Sequence, residues 1–126
     1  MTEIKGIIDD IGISALENDI KIAALAILSD SGKLIHQTEN FDLKNQGSIL
    51  LNAMKGKKTL TLNNIEFIIQ GNPSEGIIGT SKAGMGYLII LPFQGGLLVS
   101  YALPQADPTK ASAFLKSYTV RLDGKI

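Results

Sequence analysis

Side chains that could support catalysis or bind a metal are scarce in this sequence of 126 residues. There is no cysteine, which excludes a cysteine nucleophile, a disulfide and a zinc site with thiolate ligands. His36 is the only histidine, and no cluster of ligands stands at metal-binding spacing, so we interpret it as a structural residue. Asp9 and Asp10 are adjacent carboxylates on the polar side of a predicted helix, a pattern typical of a solvated surface. We therefore predict no enzyme activity, no metal site and no cofactor.

Residues 79–86, which read Gly-Thr-Ser-Lys-Ala-Gly-Met-Gly, share glycines and a lysine with phosphate-binding loops. A P-loop has its lysine directly after the second glycine, whereas Met85 occupies that position here. Such a loop also opens a helix whose amide dipoles face the phosphate, and the apolar run that follows here predicts a strand. We interpret the glycines as part of a turn between strands. The sequence also lacks the Gly-x-Ser-x-Gly turn of a serine hydrolase.

Two apolar runs joined by a Gly-rich turn form the centre of the predicted fold. The run at residues 87–91 has no polar alternation, which predicts a strand buried on both faces in the middle of a sheet. Residues 92–96 form the turn, and residues 97–103 form the second strand. We expect the other elements to extend this hairpin or to cover it.

The composition indicates one folded domain over residues 1–126. Hydrophobic residues make up 44% of the chain and charged residues 19%, which excludes a disordered chain. The 12 basic and 12 acidic residues cancel, whereas nucleic-acid-binding proteins usually carry a basic excess, so no nucleic-acid partner is expected. No apolar run reaches the ~18 residues of a membrane span, and no signal peptide is apparent. The lack of cysteine fits a reducing compartment.

Two segments before the central hairpin have the spacing of helices. Residues 2–12 place four isoleucines at i, i+3, i+4 and i+7, with Thr2 as a cap. Residues 43–55 follow Asp42, which we predict to be the N-cap, and end before Gly56.

The last helix opens with Asp107 as its cap and Pro108 at its first position. The apolar positions that share its buried face are Ala111, Phe114, Leu115, Tyr118 and Leu122. A second set lies on the opposite side as one surface strip: Thr109, Ser112, Ala113 and Lys116. Residues 123–126 are expected to fray.

The remaining segments have the pattern of short strands. Strands are predicted, in chain order, at residues 21–28, 33–38, 59–62, 65–70 and 77–78. The first segment is rich in alanine, which leaves a helix as an alternative there. Because the strands are short and the loops between them are short, we expect an antiparallel sheet. The predicted fold class is α+β, with the terminal helices on one face of the sheet and the middle helix on the other.

Three segments, taken in order, resemble a known family. Residues 23–41 contain the Ala-rich strand, the turn Ser-Asp-Ser-Gly and a closing phenylalanine. Residues 60–69 read Leu-Thr-Leu-Asn-Asn-Ile-Glu-Phe-Ile-Ile, and residues 80–101 contain the Lys-containing turn and both apolar strands without a gap. These segments resemble the profilins, small proteins that bind monomeric actin, and the order of elements agrees from end to end. The chain is most similar to divergent archaeal members.

The resemblance implies a monomeric, cytoskeleton-associated protein of the cytoplasm that binds monomeric actin and regulates its polymerisation. It places the actin-binding face at Lys58, Phe67, Ile69, Gln70, Lys82, Thr109, Ser112, Ala113 and Lys116. Phe67 and Ile69 would be the apolar anchors if they are exposed, and the alternative is that both belong to the core. Gln70 stands where many profilins carry arginine.

Profilins also bind proline-rich peptides in an aromatic-lined groove between the terminal helices. The corresponding positions here are Ile4, Ile35 and Tyr118, and the chain has no tryptophan. A polyproline helix stacks on aromatic faces, so we predict weak or absent binding of such peptides. Phosphoinositide binding in the family relies on basic clusters, so we expect it to be weak at zero net charge.

A second class of protein has a related layout. Roadblock-like and longin-like α/β modules bind small GTPases, or form homodimers by pairing sheet edges or helices. A stable homodimer in light scattering would favour this class, whereas a monomer favours a profilin.

Overall fold

The structure is a computed structural model that describes residues 2–38, 41, 43 and 46–126. Its elements in chain order are α1 (Thr2–Glu17), β1 (Ile22–Ser29), β2 (Leu34–Gln37), α2 (Gly47–Ala53), β3 (Thr59–Leu62), β4 (Ile65–Asn72), β5 (Gly76–Ser81), β6 (Tyr87–Phe93), β7 (Gly96–Ala102) and α3 (Pro108–Leu122). Among these residues, no helix is long and apolar enough to cross a membrane.

Within the described residues the sheet has seven strands, paired antiparallel in the order β2-β1-β7-β6-β5-β4-β3. β6 is therefore the middle strand, as its unbroken apolar sequence predicts. Leu88 and Ile90 pack on one face of the sheet, and Ile89 and Leu91 pack on the other. The Ala-rich segment forms β1, so the alternative of a helix there is wrong.

Different helices cover the two faces of the sheet. On the terminal-helix face, Ile11 of α1 and Leu115 of α3 join Ile89 in one buried cluster. On the α2 face, Leu50 of α2 packs in a second cluster with Phe67. This arrangement confirms the predicted α+β fold, with the terminal helices on one face and the middle helix on the other.

α1 continues to Glu17, past the end predicted at residue 12. The apolar spacing of the helix extends to Ala15, which is buried, and Ile20 folds back so that its N–H donates to the Ala15 carbonyl at 2.9 Å. A glycine weakens a helix interior by ~1 kcal/mol relative to alanine, which is why Gly12 suggested an end. Burial of the residues beyond it outweighs that cost. The predicted cap on Thr2 involves a side chain outside the described part.

α2 begins at Gly47 and ends at Ala53, so it is shorter than the predicted helix over 43–55. Gly47 packs directly against Gly32 in the β1–β2 turn, where a Cβ on Gly47 would overlap the Gly32 carbonyl. Leu43 lies outside the helix, fully buried, and its N–H donates to the Gln37 side chain at 3.0 Å. The predicted N-cap Asp42 lies outside the described residues.

The C-terminal residues are held in place, so the expected fraying is wrong. The Asp123 carboxylate accepts a hydrogen bond from the Gln94 N–H at 2.7 Å, and the Gly124 N–H donates to the Gln94 carbonyl. Lys125 then pairs with Glu3 of α1 at 3.0 Å. These contacts tie the chain end to the β6–β7 turn and to the first helix.

Candidate functional site

β4 presents different side chains to the two faces of the sheet. Phe67 is only 1% exposed and packs in the α2-face cluster, and Ile69 is half-buried beside that cluster. Because side chains alternate along a strand, Glu66, Ile68 and Gln70 point to the terminal-helix face. Phe67 is therefore core, and its assignment to an exposed actin-binding face is wrong. The Ile69 side chain points to the same face as Phe67, so the two residues do not form an exposed apolar pair.

Lys58 also belongs to the α2 side of the sheet. The Ile69 N–H donates to the Lys58 carbonyl at 2.8 Å, which extends the β3–β4 ladder by one pair beyond β3. Paired residues of neighbouring strands point to the same face, so the Lys58 side chain lies on the same face of the sheet as that of Ile69. The predicted set is thus divided by the sheet. Lys58, Phe67 and Ile69 are separated from the remaining members.

Within the described residues, the terminal-helix face is largely exposed over β3 and β4, because α3 packs mainly across β6 with smaller contacts to β5 and β7. Ile68 lies in this region, between Thr59 of β3 and Thr80 of β5, and is 43% exposed. We call this region the open sheet face, and its exposed side chains are Thr59, Thr61, Glu66, Ile68, Gln70 and Thr80. It combines one large apolar side chain with a polar surround, as protein-binding surfaces do.

An ion pair borders the open sheet face. The Lys82 ammonium lies 3.1 Å from the Glu66 carboxylate, and both side chains are about half exposed. The turn that carries Lys82 is held by the Ser81 hydroxyl, which accepts hydrogen bonds from the N–H groups of Ala83 and Met85 at 3.2 Å. An exposed pair of this kind contributes ~0–1 kcal/mol, so its main effect is to fix where the charges lie.

α3 supplies the other border. Its N-cap is Asp107, whose carboxylate accepts from the N–H groups of Thr109 and Lys110 at 3.0 and 3.2 Å, which confirms the predicted helix start. Ala111, Leu115 and Leu122 are buried as predicted, while the predicted stripe members Phe114 and Tyr118 are half-buried.

The predicted surface strip of α3 faces away from α1. Arg121 pairs with Asp10 of α1 at 2.8 Å, which fixes the side of α3 on which α1 lies. A rotation of roughly 100° per residue places Ser112 and Lys116 on the other side, next to the open sheet face. The helix therefore brings Ser112 and Lys116 toward the border of the face that also holds Gln70 and Lys82, while Thr109 and Ala113 are exposed farther from the sheet.

The groove between α1 and α3 has a charged lining rather than an aromatic one. It has a volume of about 500 Å³ and is lined by Glu3, Gly6, Ile7, Asp10, Arg121 and Lys125. The ion pair Asp10–Arg121 bridges the two helices, and Glu3–Lys125 joins α1 to the chain end that follows α3. The hydrogen bond and the charge of Lys125 hold the pKa of the Glu3 carboxyl below its ordinary value.

The three positions that correspond to a peptide groove offer little aromatic surface. Ile4 is 1% exposed and therefore core, so its assignment to a peptide-binding surface is wrong. Ile35 and Tyr118 are half-buried against the same core. The Tyr118 ring already contacts Phe114, with centroids 5.3 Å apart, and Arg121 lies 5.6 Å from its centre.

The other candidates for chemistry lie apart from this face. His36 is half-buried in β2, opposite Ile27 of β1. Across the part of the chain that the structure describes, no group of three or more His, Cys, Asp or Glu residues could hold a metal ion.

The fold and this mixed apolar and polar face define a small α+β module built for protein binding. No family model matches the chain. It is 33% identical to Loki profilin-2 and 30% identical to Loki profilin-1, both from Lokiarchaeum sp. (strain GC14_75), over 95% of the chain and of each relative. The structure superposes on Loki profilin-2 in a solved complex with rabbit actin at a TM-score of 0.87, with 29% identity, covering 100% of this chain and 99% of that one. The chain belongs to the profilin family.

Proposed function

We propose that this profilin binds monomeric actin and regulates actin polymerisation. The observation that carries the proposal is its full-length match to Loki profilin-2, a relative solved in complex with rabbit actin. The same match disfavours the alternative of a roadblock-like or longin-like module. The protein acts by binding and not by catalysis, as one profilin-like domain over residues 1–126. It works as a monomer in the cytoplasm, associated with the cytoskeleton.

The open sheet face and the adjoining strip of α3 form the actin-binding surface in this proposal. Ile68 takes the central apolar role that the resemblance assigned to Phe67 and Ile69, because it is the large apolar side chain exposed on this face. Gln70 lies beside it on β4, and Thr109, Ser112 and Ala113 contribute to the surface from α3 in this proposal. Fully burying an apolar side chain contributes ~1.5–3 kcal/mol, and Ile68 is already more than half buried, so burying its remaining surface contributes about 1.4 kcal/mol, the largest single apolar contribution on this face.

Lys82 and Lys116 lie at the rim of this surface. Exposed charge pairs contribute only ~0–1 kcal/mol, and salt screens them. The two lysines therefore give the interaction its salt dependence and contribute less to its strength than Ile68 does.

The test is a titration of fluorescently labelled monomeric actin with the wild-type protein and with Ile68→Ala. Losing about 1.4 kcal/mol of apolar burial corresponds to about a tenfold rise in Kd. The matched control is Ile13→Ala, which removes the same atoms from an isoleucine that is 58% exposed on α1.

The outcomes separate the surface from the function. Saturable actin binding that Ile68→Ala weakens and Ile13→Ala leaves unchanged supports both. Binding that neither change affects would reject the surface and keep the function. No binding by the wild-type protein would reject actin as the partner.

Proline-rich peptides and phosphoinositides are weak partners in this proposal. The groove between the terminal helices is bridged by ion pairs, and Arg121 lies close to the Tyr118 ring on which a polyproline helix would stack. A proline-rich peptide titrated in parallel with actin should show little or no saturable binding.

A further inference from the structure

The backbone along the outer edge of β3 is not used by the actin proposal, which uses β3 side chains on the open sheet face. β3 is the last strand of the sheet, and within the described residues it pairs only with β4. The turn between these strands consists of Asn63 and Asn64, with φ of 49° and 67°. A two-residue turn of this kind makes the flanking residues, Leu62 and Ile65, a hydrogen-bonded pair.

The ladder leaves the peptide groups of Thr59 and Thr61 without a strand partner. In an antiparallel ladder every second pair is hydrogen-bonded, so the pairs Leu62–Ile65, Leu60–Phe67 and Lys58–Ile69 are bonded. The bond from the Ile69 N–H to the Lys58 carbonyl agrees with this alternation. The N–H and C=O groups of Thr59 and Thr61 therefore point outward from β4. No residue of the described ranges hydrogen-bonds to them. Free donors and acceptors along an edge are a template for another strand.

A groove of about 280 Å³ lies beside this edge. Its lining residues are Lys57, Thr59, Leu60 and Thr61 from the strand side and Ile49 and Asn52 from α2. The half-buried Ile49 and the buried Leu60 supply an apolar floor. An added strand could place small apolar side chains there at every second position, because strand side chains alternate between faces.

Three lysines make this edge basic within the described part of the chain. Lys55, Lys57 and Lys58 are exposed, and none of them forms an ion pair in the described part of the chain. The sequence has no acidic residue between Asp42 and Glu66. Such a cluster repels a second copy of the same edge, which is how lysines protect sheet edges from self-pairing. It attracts an acidic strand for the same electrostatic reason.

We propose that the β3 edge binds an extended acidic segment of a partner protein as an additional antiparallel or parallel strand. The outward peptide groups of Thr59 and Thr61 supply the backbone hydrogen bonds. The basic cluster gives this edge a positive potential that favours an acidic segment, and the groove beside α2 receives the small apolar side chains that point to that side. This site uses the outward peptide groups of β3 and the groove on the α2 side, whereas the actin proposal uses the side chains of Thr59 and Thr61 on the open sheet face.

The probe for the test is a capped seven-residue peptide of alternating valine and glutamate, added to the isotope-labelled full chain without actin. We expect the amide signals of Thr59 and Thr61 to shift, and their hydrogen exchange to slow at least tenfold at saturation. A peptide of alternating valine and lysine is the control for charge, and we expect it to leave these signals unchanged.

Two variants separate strand pairing from simple charge attraction. Thr61→Pro removes one outward N–H and keeps every lysine, and an edge strand tolerates proline when that N–H faces solvent. We expect it to raise the Kd of the glutamate peptide at least tenfold. Lys57→Glu with Lys58→Glu should do the same, whereas Lys33→Glu with Lys110→Glu, which makes the same charge change elsewhere, should leave the Kd within twofold.

Three results would overturn the proposal. The first is no binding of the glutamate peptide. The lysines would then only protect the edge from pairing with a second copy. The second is binding that a folded Thr61→Pro variant does not weaken. The third is peptide binding to the wild-type protein without slower exchange at Thr59 and Thr61, and this measurement decides the question even if Thr61→Pro does not fold.

Discussion

The two faces of the sheet over β3 and β4 differ sharply in what covers them. On the α2 face, Phe67 is buried with Leu60 and packs beside Gly79, where a Cβ would lie only 3.0 Å from the Phe67 Cβ. On the terminal-helix face, the next residue, Ile68, is 43% exposed, and α3 packs mainly across β6 instead. Adjacent residues of one strand thus serve stability on one side and are available for binding on the other. A shift of one residue along a strand exchanges these two roles.

The largest expected effect is the difference in stability between Phe67→Ala and Ile68→Ala. Truncating a fully buried phenylalanine leaves a cavity and should lower the free energy of unfolding by ~3–5 kcal/mol. Truncating Ile68, which lies on the exposed face, should change it by less than ~1 kcal/mol. Urea denaturation followed by circular dichroism measures both. Equal losses in the two variants would show that the faces are not distinct.

A smaller change in the free energy of unfolding, an increase, is expected in the part of the sheet that α1 and α3 cover. Ser100 is fully buried in β7, and its hydroxyl has no hydrogen-bond partner among the described residues. Ser100→Ala removes this unsatisfied group and should raise the free energy of unfolding by ~1 kcal/mol. Thermal and urea denaturation measure the change.

The control for that prediction is Ser29→Ala. Ser29 is also buried, but its hydroxyl contacts the Ser31 hydroxyl at 2.8 Å and accepts from the Lys33 N–H at 3.1 Å. Its removal should lower the free energy of unfolding by ~1 kcal/mol. A loss of stability in Ser100→Ala would mean that its hydroxyl is satisfied, for instance by a buried water.

The smallest effect concerns the ion pair that joins the chain ends on the terminal-helix face. Lys125 lowers the pKa of Glu3, so the folded state favours the ionised carboxyl. The stabilisation is present above the ordinary pKa of a glutamate and is lost as pH falls through the lowered value. In a titration followed by NMR, Lys125→Ala should return the pKa of Glu3 toward its ordinary value, and Lys33→Ala should not. If the pKa of Glu3 is unchanged in Lys125→Ala, Lys125 does not pair with the Glu3 carboxyl and does not link α1 to the chain end.

Much of the fold follows from local sequence patterns. The strand order in the chain, the capping of α3 by Asp107 and the double-sided burial of β6 could all be predicted from residue spacing and turn chemistry. The boundaries of α1 and α2 could not, because burial of Ala15 extends the first helix and the contact between Gly47 and Gly32 sets the start of the second. These contacts join residues that are distant in sequence or depend on neighbours that spacing does not reveal.

The position of Phe67 was also available from the sequence. The Asn63–Asn64 turn places Leu62 opposite Ile65 and therefore Leu60 opposite Phe67. Since Leu60 and Leu62 are the apolar positions of their strand, Phe67 belongs to their buried face. The resemblance to known profilins assigns Phe67 by its place in the family, whereas strand register assigns it to the buried face.

The sequence by itself determined the elements, the antiparallel sheet and the family, because these depend on periodicity, turns and the order of segments. Only the tertiary structure decided which side of β4 is uncovered. That depends on where α3 packs, across β6 and away from β3 and β4. Helix placement results from the fit of whole surfaces, and no single segment of the sequence encodes it.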